Sequence, residues 1–137
     1  SAYKNPEKVI GMHFFTPIVV LRLIEVIRGQ KTSDDTFNKC VAVGEKLPAL
    51  KGKKFIAKIN KESPGFIVNR IMIPHFIEAI KIVEEGIASI EDVDTAVKNG
   101  LNYPMGPFQL MDLTGIDVAY FVSEYLNDFF NIITVFF

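Results

Sequence analysis

The sequence predicts an α/β unit of strand, strand, helix and strand over residues 1–60, followed by an all-helical unit over 61–137. Three observations carry this. The apolar runs at 9–15, 19–28 and 55–59 are short, rich in β-branched residues and separated by turn residues or by one helical stretch. The character changes at Asn60 to Pro64, a cluster of polar and turn-forming residues. From Gly65 onward the apolar residues recur at helical spacing. Strand, strand, helix, strand is the pattern of an α/β unit whose beginning is missing, so residues 1–60 are expected to be the end of a larger sheet.

Tyr3 to Glu7 is a polar connection into the first strand, Val9 to Phe15, which Thr16-Pro17 ends. The second strand is expected over Val19 to Arg28. There Leu21, Leu23, Glu25 and Ile27 share one face, and Val20, Arg22, Ile24 and Val26 share the other. Glu25 thus stands in an apolar file. Gly29 to Thr32 is a turn, and Ser33 caps a helix whose first turn carries Asp34 and Asp35, where carboxylates favour the positive end of the helix dipole. Phe37, Cys40, Val41, Gly44 and Leu47 mark its apolar face, Pro48 ends it, and Phe55 to Ile59 is the third strand.

In the second half Ser63 is expected to cap a helix with Pro64 at its first position. That helix is almost continuously apolar from Phe66 to Val83, which predicts burial on all sides, a kink at Pro74 and a stop at Gly86. Ser89 with Asp92 opens a second helix that ends at Asn99-Gly100. The turn Tyr103 to Pro107 then leads into helices around 108–113 and 116–130. The tail 129–137 is apolar and β-branched, and a partner chain is expected to bury it; uncovered, it would aggregate.

Hydrophobic residues form 49% of the 137, with 12 Phe and 4 Tyr, enough for a packed interior without disulfide or metal staples. The 15 Lys and Arg balance 16 Asp and Glu for a net charge of -1, which removes the electrostatic reason to expect nucleic acid. Lys51, Lys53, Lys54, Lys58 and Lys61 form the densest basic cluster, read as a solvated edge or as contacts to a phosphate-bearing ligand such as coenzyme A. A single cysteine, Cys40, excludes an intrachain disulfide and C-x-x-C metal or redox motifs. No signal peptide opens the sequence and no run approaches the roughly 18 apolar residues of a membrane span. A soluble, cytoplasmic protein without a membrane partner is expected.

Of the two histidines, only His13 has an acidic residue that secondary structure could bring to it. Glu25, on an apolar strand face, requires a partner, because desolvating a carboxylate costs several kcal/mol. An imidazole held by a carboxylate has a fixed tautomer and can take a proton from an alcohol. The same pair could equally brace two strands. His75, after Pro74 in the apolar helix, reads as a core or interface histidine. Asn69, in an otherwise apolar run, either positions a substrate oxygen or the imidazole, or ties its helix to a neighbouring carbonyl. No G-x-G-x-x-G or Walker-type glycine loop occurs.

Four runs, in order, resemble the signatures of the 3-hydroxyacyl-CoA dehydrogenase family: Gly11-Met12-His13-Phe14-Phe15-Thr16-Pro17, Leu23-Ile24-Glu25-Val26-Ile27, Ser63-Pro64-Gly65-Phe66-Ile67-Val68-Asn69-Arg70 and Tyr103-Pro104-Met105-Gly106-Pro107-Phe108. The resemblance covers about residues 5 to 126. It implies that residues 1–60 close a Rossmann-type NAD-binding domain, and that 61–137 begin a helical domain serving substrate binding and homodimerisation. It further implies NAD-dependent oxidation of a (3S)-3-hydroxyacyl-CoA, with His13 as general base, Glu25 orienting it, Asn69 on the substrate and Thr16 near the cofactor. The family usually has Asn where this sequence has Thr16, which keeps a hydroxyl but loses the amide's paired donor and acceptor. The glycine-rich start and an upstream serine for the substrate hydroxyl are missing, so the 137 residues alone are expected to be inactive. A related gulonate-type dehydrogenase and a non-catalytic helical dimerisation module are the other readings.

Overall fold

The structure, a computed structural model, describes residues 4–130, and the chain divides into two compact units, Ser1–Ile67 and Val68–Phe137. In the first unit Pro6–Lys8 forms a single 3-10 turn before β1, Gly11–Phe14. This β1 pairs antiparallel with β2, Leu23–Ile27, and β2 pairs in parallel with β3, Phe55–Ile59. Parallel neighbours need a crossover, and α1, Asp34–Lys46, supplies it. Ile24 and Val26 are fully buried and form a core with Phe37 and Val41 of α1. A Cβ on Gly44 would come within 2.7 Å of Ile56 Cδ1, so the missing side chain lets α1 approach β3 closely. The Ser33 hydroxyl accepts the Thr36 N–H at 3.1 Å, the cap expected from sequence.

The second strand begins later than its pattern suggests. Residues 17–21 turn instead, with the N–H groups of Val20 and Leu21 donating to the Pro17 carbonyl at 3.0 and 2.9 Å. Ile18, Val19, Val20 and Leu21 are exposed, so the alternation there carries no strand. The turn's carbonyls are bound by Lys54, whose ammonium donates to Ile18 O and, at 2.8 Å, to Leu21 O. Lys54 is therefore buried, unlike its exposed neighbours Lys51, Lys53, Lys58 and Lys61, and it leaves the solvated basic edge expected for all five. Replacing Lys54 by Met strands two carbonyls and should destabilise the fold by about 1–3 kcal/mol. Lys53→Met should stay within about 0.5 kcal/mol of the parent, a contrast that urea melts of the two variants would measure.

The expected helix start at Pro64 is also displaced. Ser63 to Phe66 form a β-turn closed by the Phe66 N–H on the Ser63 carbonyl at 3.1 Å, with Gly65 at φ +72° and Phe66 at φ +48°. Two successive left-handed residues cannot open a right-handed helix, so α2 starts only at Val68 and runs to Glu84. The first compact unit runs to Ile67.

In the second unit α2 is followed by α3, Ile90–Gly100, α4, Pro107–Thr114, and α5, Ile116–Phe130. Ile73, Phe76, Met111 and Leu126 form its core. The all-round burial expected of α2 is not found, since Ile71 is 66% exposed; Pro74, where a kink is expected, lies inside the helix. Gly86 does end it, at φ +70°, with its own N–H on Val83 O and that of Ile87 on Ile82 O. Ser89 caps α3 through the Asp92 N–H at 3.1 Å.

Buried Asp94 of α3 caps α4 from outside, accepting the N–H groups of Phe108 and Gln109 at 2.9 and 3.1 Å. A Cβ on Gly106 would sit 2.2 Å from Asp94 Oδ1, which explains the glycine in Met105-Gly106-Pro107. Asp94→Ala should cost about 2–4 kcal/mol through two stranded donors, read as a lowered melting temperature. No helix among the described residues is long and apolar enough to cross a membrane. Beyond Phe130 the apolar tail, for which burial by a partner was expected, lies outside the described residues.

Candidate active site

Residues His13 and Glu25 are paired positions of the antiparallel β1–β2 ladder, so the pleat puts both side chains on one face. His13 Nδ1 lies 2.7 Å from Glu25 Oε2. The carboxylate side chain is fully buried, while 28% of the imidazole's surface is accessible. A carboxylate only accepts, so Nδ1 donates to it and the ring's lone pair rests on Nε2. This nitrogen makes no hydrogen bond to any described residue.

Two aromatic rings flank the imidazole. Phe15 lies at 4.6 Å between centroids with a 52° tilt, and Phe66 at 5.4 Å with a 51° tilt. Behind them the second oxygen of Glu25, Oε1, accepts the backbone N–H of Ile67 at 3.0 Å. The arrangement is an imidazole with one nitrogen unbonded among the described residues, apolar walls and a doubly bound carboxylate at its back. When Nε2 takes a proton, the new positive charge forms beside a carboxylate held by charge-assisted hydrogen bonds.

Sequence reasoning did not anticipate the Ile67 N–H or the Phe66 ring. The signal was present in Pro64-Gly65, because Pro followed by Gly marks a type II turn as readily as proline marks a helix start. Thr16 is exposed beside the ring of Phe15 in sequence, at a cis bond to Pro17. Asn69 is the second residue of α2 and half-buried, and it belongs to the helical unit. In that same unit lies His75, its Nε2 buried without a hydrogen-bond partner among the described residues and its ring 5.8 Å from Tyr103. Among the described residues no group of three His, Cys, Asp or Glu could hold a metal.

Residues 1–60 match the family described as 3-hydroxyacyl-CoA dehydrogenase, NAD binding domain, and residues 65–132 match 3-hydroxyacyl-CoA dehydrogenase, C-terminal domain. The chain is 45% identical to a 3-hydroxybutyryl-CoA dehydrogenase of Clostridioides difficile over 92% of its own length and 43% of that protein's. It is 43% identical to the mitochondrial hydroxyacyl-coenzyme A dehydrogenase of Homo sapiens over 90% of its length and 38% of the relative's. Among solved structures, the (S)-3-hydroxybutyryl-CoA dehydrogenase of Ralstonia eutropha superposes with a TM-score of 0.80 at 42% identity, covering 89% of this chain and 41% of that one. The chain thus spans about two fifths of the length of the proteins it matches.

Proposed function

Since the chain belongs to the 3-hydroxyacyl-CoA dehydrogenase family, we propose that it forms part of an enzyme that oxidises (3S)-3-hydroxyacyl-CoA to 3-oxoacyl-CoA with NAD. The observation that carries this reading is the 2.7 Å bond from His13 to a fully buried Glu25, with the opposite imidazole nitrogen unbonded among the described residues. In the proposed reaction His13 Nε2 removes the proton of the 3-hydroxyl. Glu25 keeps the lone pair on that nitrogen and stabilises the imidazolium as it forms. Asn69, of the helical unit, is assigned to the substrate. NAD, held by other parts of the enzyme, would supply the acceptor for the hydride from C3.

For the nucleotide itself the described residues fit poorly. The strand-to-helix turn after β2 is filled by Thr32, which accepts the Gly29 N–H at 2.9 Å and donates to the Val9 carbonyl, and no glycine-rich cradle opens α1. A pyrophosphate needs such a cradle, and we place it in other parts of a full-length enzyme, with Thr16 contributing at most an edge contact. The 137 residues alone should therefore neither turn over substrate nor bind NADH in the micromolar range by calorimetry. Homodimerisation through the helical unit and a cytoplasmic location belong to the same proposal, although the human relative's name places that protein in mitochondria. Assay of the full-length enzyme with 3-hydroxybutyryl-CoA and NAD, against a free hydroxy acid, tests the reaction. Turnover of the thioester supports it, and turnover of the free acid alone would replace it by a gulonate-type activity.

A further inference from the structure

The base is held through Glu25, and Glu25 is held in part by a backbone N–H that a turn presents to it. We infer that the Pro64-Gly65-Phe66 turn, by presenting the Ile67 N–H to Glu25 Oε1, is a positioning element for the His13 proton transfer. This rests on the reading of His13 as the base.

A carboxylate bound at one oxygen can rotate about its terminal bond and carry the imidazole with it. Glu25 is bound at both, by His13 Nδ1 at 2.7 Å and by Ile67 N at 3.0 Å, in a fully buried site where each charge-assisted bond is strong. The N–H reaches Oε1 only because the chain reverses through φ +72° at Gly65 and φ +48° at Phe66. The second of these is uncommon for a residue with a Cβ, and such conformations persist where surrounding structure over-determines them. Here the surroundings are specific. The Phe66 ring rests 5.4 Å from the imidazole, so the residue that adopts the left-handed conformation also packs the base that the conformation serves. Ile67 is thereby a positioning residue by its backbone alone, and its exposed side chain has no part in the contact.

The test uses the full-length enzyme with Ile67 replaced by its α-hydroxy analogue, which turns one amide into an ester and deletes only the donor. We expect kcat to fall roughly 10- to 100-fold with KM for the hydroxyacyl-CoA within about twofold, since misalignment of a reacting group is lost in the chemical step rather than in binding. A parental kcat in the ester would overturn the proposal. His13→Gln, assayed alongside, separates the layers. If it too retains the parental rate, the base assignment has failed; if it is inactive while the ester is not, only the positioning role has failed. A second pair guards against misfolding of the ester. Phe66→Val is β-branched and resists positive φ, whereas Phe66→Asn tolerates it; both lose the ring. The proposal expects the Asn variant to exceed the Val variant about tenfold in kcat, and equal losses would assign the effect to the ring and overturn the turn's role.

Discussion

In the full-length enzyme, replacing His13 by Gln should lower kcat roughly 10²–10⁴-fold, the range a positioned general base contributes. The glutamine side chain can keep a hydrogen bond to Glu25 and fill most of the space between Phe15 and Phe66, so the sheet should survive. What it cannot do is accept a proton at neutral pH. KM for the thioester should move little, because the imidazole's bond to the substrate hydroxyl gains its strength as the proton transfers. Steady-state kinetics with far-ultraviolet circular dichroism on the same sample would check it. A large KM increase with unchanged kcat would make His13 a binding residue only.

A comparable effect is expected at Glu25, a residue that need never touch substrate. Glu25→Gln preserves shape, and its amide oxygen can still accept the Ile67 N–H that Glu25 Oε1 accepts now. The NH2 then faces His13 Nδ1 and forces the lone pair onto that nitrogen and the ring proton onto Nε2. The base is then present, correctly placed and in the wrong tautomer. A comparable isosteric change behind a catalytic histidine costs about 10⁴-fold, and we expect a loss of roughly 10³–10⁴-fold here. Glu25→Ala should lose activity and stability together, since it leaves Nδ1 and the Ile67 N–H without their buried acceptor. Kinetics and thermal melts of the two variants separate tautomer control from simple support.

The pair itself was legible in the sequence because both residues sit on short apolar strands, and alternation placed Glu25 where a carboxylate is costly without a partner. Helices α1 and α3 were legible for a similar reason: the hydroxyls of Ser33 and Ser89 cap their own first turns, a contact three residues long. What escaped depends on partners far away in the chain. The Pro64-Gly65 dipeptide fits a helix start and a turn equally well, and the choice is made by Glu25, 42 residues from the Ile67 donor. Lys54 looked like one of five solvated lysines, yet the carbonyls that bury it exist only once residues 17–21 have turned. Asp94 reads as an ordinary polar helix residue, and its function as the cap of α4 depends on Gly106 having no side chain. The site's chemistry was written in residue types, while its support was written in backbone conformation.

Glu25 accepts from Nδ1 and so fixes the His13 tautomer with the lone pair on Nε2. Nitrogen-15 NMR of the histidine side chains in the substrate-free full-length enzyme tests it most directly, with His13→Gln used to assign the signal. His13 should show a protonated Nδ1 and an unprotonated Nε2, reversed in Glu25→Gln. A parental protein with the proton on Nε2, or a Glu25→Gln variant with the tautomer unchanged, would contradict it.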